Sequence, residues 1–249
     1  MSSKSKFVSF ISSKKFSAIF YPILYVAFAI AISVSGSIIF NNYYYKVVYI
    51  HGSSMMPTLL GEETRQYYGY ADETKKAIDN INRFDVIVLN YPDSWHTQAG
   101  RKVKRVWGFP GETISLVSNS EGSTFTAKRG DNVYTISAKR YENCKFSYET
   151  GSYTYDCYRF YAGKRAFNTV AYYRNFTDYT LGPNEYFVMG DNWGGSTDSY
   201  VRVIEEGYEN ITYPYLGGRV VNILGVATYD AATDSLLNKV PFKKPMYYF

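Results

Sequence analysis

From Phe16 to Phe40 the chain runs through 25 residues, FSAIFYPILYVAFAIAISVSGSIIF, without a charged side chain. A helix of about 20 apolar residues crosses the hydrocarbon core of a bilayer, so this stretch predicts one membrane-spanning helix with some tilt. Past residue 41 the pattern changes. No long helical periodicity remains, and short runs of β-branched and aromatic residues take over: Tyr45–Ile50, Val86–Leu89, Val103–Val106, Thr113–Val117, Tyr186–Met189 and Val220–Tyr229. Each reads as a strand. Turn formers separate them at Pro57, Pro92-Asp93, Pro110-Gly111, Gly182-Pro183 and Gly194-Gly195. One charged patch, Asp72–Asn80, is helix-like. The stretch 118–180 is polar, rich in Tyr and punctuated by Gly and Ser, which predicts an inserted β-rich subdomain. No residue in it suggests chemistry. The expected fold is mainly β, with a single N-terminal transmembrane helix.

Composition strengthens that reading. The 28 tyrosines and 16 phenylalanines favour strands, and 46% hydrophobic against 20% charged residues describes a globular body. Charge adds an orientation. Lys4, Lys6, Lys14 and Lys15 precede the apolar stretch, only Lys46 follows closely, and all 22 acidic residues lie beyond residue 60. The positive-inside rule then puts residues 1–15 in the cytoplasm, with Tyr43, Tyr44 and Tyr45 at the far interface. A cleavable signal peptide is the competing reading, with small-residue sites at Ala29-Ile30-Ala31 and Ser33-Val34-Ser35. Its apolar core would be 7–15 residues, shorter than this one, so an uncleaved anchor over 16–40 is favoured. The rest divides into an extracytoplasmic body, 41–117 and 181–249, and the insert 118–180 of unassigned role. That body is nearly neutral, which argues against a nucleic-acid partner, because phosphate binding needs a basic face.

Cys144 and Cys157 are the only cysteines, and His51 and His96 the only histidines. So few ligands predict no metal site. Outside the cytoplasm the cysteines either form a disulfide or stay thiols, and the sequence does not choose.

Four blocks carry candidate chemistry. They are Gly52-Ser53-Ser54-Met55-Met56-Pro57-Thr58-Leu59; Arg83-Phe84-Asp85-Val86-Ile87-Val88; Lys104-Arg105-Val106-Trp107-Gly108-Phe109-Pro110-Gly111-Glu112; and Tyr186-Phe187-Val188-Met189-Gly190-Asp191-Asn192, continuing through Ser196-Thr197-Asp198-Ser199. Singly, each has an ordinary explanation as a turn or a solvated strand edge. Together, in this order and after one anchor, they resemble the bacterial type I signal peptidases, in the Gram-positive pattern.

That resemblance implies a serine endopeptidase with Ser54 as nucleophile and Lys104 as general base. A serine hydroxyl needs a base within hydrogen-bond reach, and a lysine serves only if burial lowers its pKa; Val103 and Val106 flank Lys104 in a strand-like run. Ser196 matches the serine that orients the lysine. The backbone N–H of Ser54 is the first oxyanion donor, with Ser53 and Gly52 as further support. Some members carry a serine where Gly52 stands. Asp191, Asp198 and Arg105 match charged residues that hold the site together, and Asp85 is structural. One departure is Tyr200, where the family commonly has arginine, so Asp198 is expected either to lose its usual partner or to find Arg202 or Arg219 instead. The implied partners are exported preproteins, cleaved after an Ala-x-Ala-like segment lying extended beside a nucleophile strand and the lysine strand, and the lipid bilayer. Met55 and Met56 are expected to join an apolar surface resting on it. No metal or organic cofactor is called for. His51 is too constrained to act as base for Ser54, and His96 belongs to a polar loop. A catalytically silent, membrane-tethered homologue is the alternative from another class.

Overall fold

The computed structural model describes residues 14–62, 65–95, 100–148, 151–230, 232–233 and 235–247. Lys4, Lys6 and His96 lie outside them. Helix α1 (Lys14–Tyr44) contains the apolar span Phe16–Ile39, 24 residues long, with none of the span buried. At 1.5 Å per residue that is about 36 Å, enough for a bilayer core. The chain separates into two compact units, Met1–Tyr45 and Lys46–Phe249.

The second unit is built from two antiparallel sheets. The first has eight strands among the described residues: β1 (Tyr45–Tyr49), β2 (Gln66–Asp72), β3 (Val86–Leu89), β4 (Lys102–Gly108), β11 (Glu185–Met189), β12 (Ile211–Thr212), β13 (Leu216–Asp230) and β14 (Ser235–Tyr247). Their spatial order is β1-β2-β13-β3-β4-β11-β12, with β14 on β13. The all-apolar β3, Val-Ile-Val-Leu, is wholly buried because both faces are covered. Val86 and Val88 join a core with Val48, Ile50, Met55 and Leu59, whereas Ile87 and Leu89 join another with Trp95, Val106 and Val188. This is the two-residue alternation of a strand feeding two cores.

Strands expected from the apolar runs appear with ends shifted by a few residues, as pairing extends beyond the apolar letters. Three strands of the first sheet were not anticipated: β2, β14 and the two-residue β12. β2 has no β-branched residue and carries Gly69, which packs so closely that a Cβ there would stand 2.0 Å from the Asn222 carbonyl oxygen. β14 contains Pro241 and Pro245, which ordinarily argue against a strand. The helix-like patch shrinks to α2 (Lys75–Asp79), capped by the Thr74 side chain accepting from Ala77 N.

The second sheet has six strands: β5 (Thr113–Ser118), β6 (Gly122–Arg129), β7 (Asn132–Tyr148), β8 (Gly151–Ala162), β9 (Arg165–Val170) and β10 (Phe176–Thr180), ordered β10-β5-β6-β7-β8-β9. It shares a core with the first. Trp107 of β4 lies 5.1 Å from Phe125, 5.4 Å from Phe160 and 5.8 Å from Trp193, centroid to centroid. Cys144 and Cys157 are buried free thiols, hydrogen-bonded to each other, and burial pushes the pKa of each upward.

Candidate active site

Ser54 stands on no strand. It is the middle residue of a 3-10 turn, Ser53–Met55, that follows β1, where an extended nucleophile strand was expected. Gly52 begins this turn at φ 83, a left-handed conformation that suits glycine. The turn is pinned through the Ser54 carbonyl, which accepts from Asn192 N at 3.0 Å, and the Ser53 carbonyl, which accepts from Asn192 Nδ2 at 3.2 Å. Met55 and Met56 are 1% and 5% exposed. They anchor the turn in the core and do not form the apolar surface expected of them.

Lys104 lies in the middle of β4, in register with Ile87 of β3. It is 3% exposed, and its Nζ is 2.7 Å from Ser54 Oγ. Strand alternation puts it on the same face as Val106, and its amine lies 5.9 Å from the centroid of Tyr91. Burial pulls its pKa from the ordinary 10.5 down to about 8. The charges of Asp198 and Asp191 act against that shift, while those of Lys102 and Arg174 assist it. A lysine near 8 is neutral in about a tenth of molecules at pH 7, against roughly one in three thousand at its ordinary value.

Arg105, the next residue, points the other way. Its Nε and Nη2 donate to Asp191 at 2.8 and 2.5 Å and its Nη1 to the Phe84 carbonyl at 2.8 Å, while the guanidinium covers the Phe167 ring at 4.3 Å. Asp191 and Asp198 have no exposed surface. The partner of Asp198 is Arg174, not Arg202 or Arg219: Arg174 Nη1 donates to both carboxylate oxygens, at 2.9 and 3.0 Å. Arg202, in the helical turn Tyr200–Glu205, turns to Glu206 at the end of that turn, and Arg219 faces Asp85. Arg174 belongs to the segment that sequence reasoning left without chemistry. Its only signal was an isolated arginine among aromatics, Tyr172-Tyr173-Arg174-Asn175-Phe176. Asp85, read as structural, accepts from Arg165 at 2.8 Å and from Asn82 N at 2.8 Å.

Ser196 is 5% exposed, and its Oγ has no hydrogen-bond partner among the described residues. The expected bond to the lysine amine is not made in this conformation. The hydroxyl is wedged beside Gly190, where a Cβ would stand 2.3 Å from both Ser196 Oγ and the Ser54 carbonyl oxygen. Glycine at 190 is therefore what lets these two segments close on each other. The Ser53 side chain is exposed, and a Cβ at Gly52 would meet nothing within 4 Å, so this side of the turn faces open space. Beside it is a cleft of about 410 Å³, lined by residues 47–51, Ser54, Met55, Val88 and 100–104.

A hydroxyl held against a buried amine of lowered pKa is equipped for acyl transfer, in the manner of serine hydrolases that use lysine as base. Among the described residues no group of His, Cys, Asp or Glu could hold a metal ion. Comparison with known proteins agrees with that class: residues 20–208 match the signal peptidase family, peptidase S26, and the chain belongs to it. It is thereby a serine endopeptidase of a membrane-bound family whose substrates bear signal peptides, and α1 fits a membrane anchor. The chain is similar to signal peptidase I S of Bacillus subtilis strain 168, 28% identical over 178 residues, covering 71% of this chain and 78% of the relative. It is also similar to signal peptidase I P of Bacillus subtilis subsp. natto, 26% identical over 171 residues, covering 69% and 74%.

Proposed function

We propose that this chain removes signal peptides from exported preproteins at the membrane, with Ser54 as nucleophile and Lys104 as general base. The observation that carries the reading is the 2.7 Å contact between Ser54 Oγ and an amine that is 3% exposed. In the neutral state Lys104 Nζ takes the Ser54 proton as Oγ attacks the scissile carbonyl carbon. The resulting ammonium returns the proton to the departing amine, leaving an acyl-enzyme. Water, deprotonated by the same amine, then releases the acyl group. Substrate seated in the cleft excludes more water and favours the neutral amine further. The backbone N–H of Ser54 is the first oxyanion donor, with Gly52 and Ser53 forming the rest of that wall. Ser196 Oγ, buried and unpartnered, is available to turn to the ammonium once it forms.

β1 ends the sheet order among the described residues, and an extended peptide is read as lying along the cleft that β1 and β4 line, in the manner of an added strand. Val47, Ile50 and Val103 give the cleft apolar walls, and side chains of the added peptide would enter it at every second position. That geometry favours small residues at alternate positions, the Ala-x-Ala-like segment. In this reading α1 is a single-pass anchor, the basic N-terminus is cytoplasmic, and the β-built unit works on the outer side, where signal peptides emerge.

The test is cleavage of a preprotein by the full chain in detergent. Ser54→Ala and Lys104→Ala are expected to lose at least about a thousandfold in kcat/KM with unchanged circular dichroism. Near-normal cleavage by Lys104→Ala would remove the assigned base.

A further inference from the structure

We propose that Arg174, carried by the inserted sheet, is a positioning residue of the serine–lysine pair: its guanidinium neutralises Asp198 and clamps the Ser196 carbonyl, leaving the buried lysine amine no unpaired carboxylate to hold its proton. The inference rests on the proteolytic reading above and adds a residue to that site.

Arg174 lies between β9 and β10 and is 1% exposed. Besides its two bonds to Asp198 it donates from Nη2 to the Ser196 carbonyl at 3.2 Å. The remaining acceptor capacity of Asp198 is used by Gly190 N at 2.8 Å and Tyr200 N at 3.1 Å. One buried carboxylate thus joins the insert, the glycine against which Ser54 and Ser196 close, and the turn that follows them. A buried carboxylate keeps its charge only with a counterion close by, and Arg174 is that counterion. The guanidinium lies 4.6 Å from the centroid of Tyr200, whose hydroxyl accepts from Asn175 N at 3.3 Å. Tyr200 therefore serves as a platform for an arginine delivered from elsewhere, where the family commonly has the arginine itself.

The effect on Lys104 follows from the groups facing its amine. These are Asp198, Asp191, Lys102 and Arg174 by charge, with the Tyr91 ring on one side and His51 lining the same cleft. Asp191 is already held by Arg105. Of the two carboxylates, Asp198 acts more strongly to keep the lysine protonated. Removing Arg174 exposes the amine to that charge undiminished, so the lysine should hold its proton to higher pH.

The experiment is a 13Cε-lysine NMR titration of Lys104 in the full chain in detergent, with its resonance assigned by loss in Lys104→Arg, alongside the pH profile of preprotein cleavage. Arg174→Gln is expected to move the titration midpoint up by at least one pH unit, and the acid limb of kcat/KM with it. Cleavage should fall about tenfold at neutral pH and partly recover at alkaline pH. Arg174→Gln/Asp198→Asn leaves no buried charge unpaired, so it keeps the test open if the single variant fails to fold. Its midpoint should lie at or below that of the unsubstituted chain. An unmoved midpoint in Arg174→Gln, an equal loss of cleavage at every pH, or a raised midpoint in the double variant would overturn the proposal. If Ser54→Ala still cleaves while Arg174→Gln moves the midpoint, the proteolytic assignment fails and the Arg174 coupling stands.

Discussion

In the six-stranded sheet, polar side chains meet across strands near the surface, as Thr124 meets Ser137 at 2.9 Å and Thr126 meets Thr135 at 3.4 Å. Buried polar groups occur in both sheets, as where Ser118 meets Ser123 at 3.0 Å in the six-stranded one, but in the eight-stranded sheet and its loops they include a lysine amine. Lys104 is sealed at 3% exposure, and Ser196 Oγ has no hydrogen-bond partner among the described residues. The first arrangement is what a sheet adopts to be stable; burying an amine costs stability. Yet the two sheets are not separate devices. Arg165 and Arg174 reach from the insert to Asp85 and Asp198, Phe167 lies under Arg105, and one aromatic core runs through both. The stretch 118–180, polar and set apart in sequence, packs in space against the segments that carry the candidate site.

The largest expected effect tests that union. Trp107→Ala removes the ring that touches both sheets and should destabilise the β-built unit by about 3–5 kcal/mol, the usual cost of truncating a buried tryptophan. Thermal unfolding followed by near- and far-ultraviolet circular dichroism should show one cooperative transition at lower temperature. Two separated transitions would break the picture of a shared core.

Next comes the cost of the reactive amine. Lys104 holds its proton less tightly in the folded chain, with a pKa of about 8 instead of 10.5. The unfolded chain therefore binds more protons between those values, and folding stability rises with pH across that window. Below pH 8 the penalty is at its full value, about 3 kcal/mol. Lys104→Met removes it and should raise the melting temperature at pH 7, with the gain shrinking toward pH 10. No gain at neutral pH would mean that the amine is not held at a cost.

The pH profile gives a slightly smaller effect. A base titrating near 8 makes kcat/KM fall about tenfold per unit well below that value, so about fiftyfold from pH 8 to pH 6. A flat acid limb would argue against Lys104 as base. Thr124→Ala should do least, changing stability by less than about 0.5 kcal/mol and leaving cleavage unaltered. A loss of cleavage there would give the outer face of the insert a role that its surface-type polar pairs do not suggest.

The chain by itself determined what local pattern can determine. An uncharged run of 25 residues makes a membrane-length helix because no water-seeking group interrupts it. Short β-branched and aromatic runs make strands, and the blocks around Ser54 and Lys104 carry a hydroxyl and an amine suited to each other. Partners far apart in sequence were decided only on folding. Asp198 took Arg174 rather than Arg202, four residues away, because the insert's segment between β9 and β10 is packed against it and Arg202 is engaged by Glu206. Met55 and Met56 went inward because the turn carrying Ser54 closes over the core. Alternation along a strand says which residues share a face; what that face meets depends on the order in which strands from the whole chain assemble.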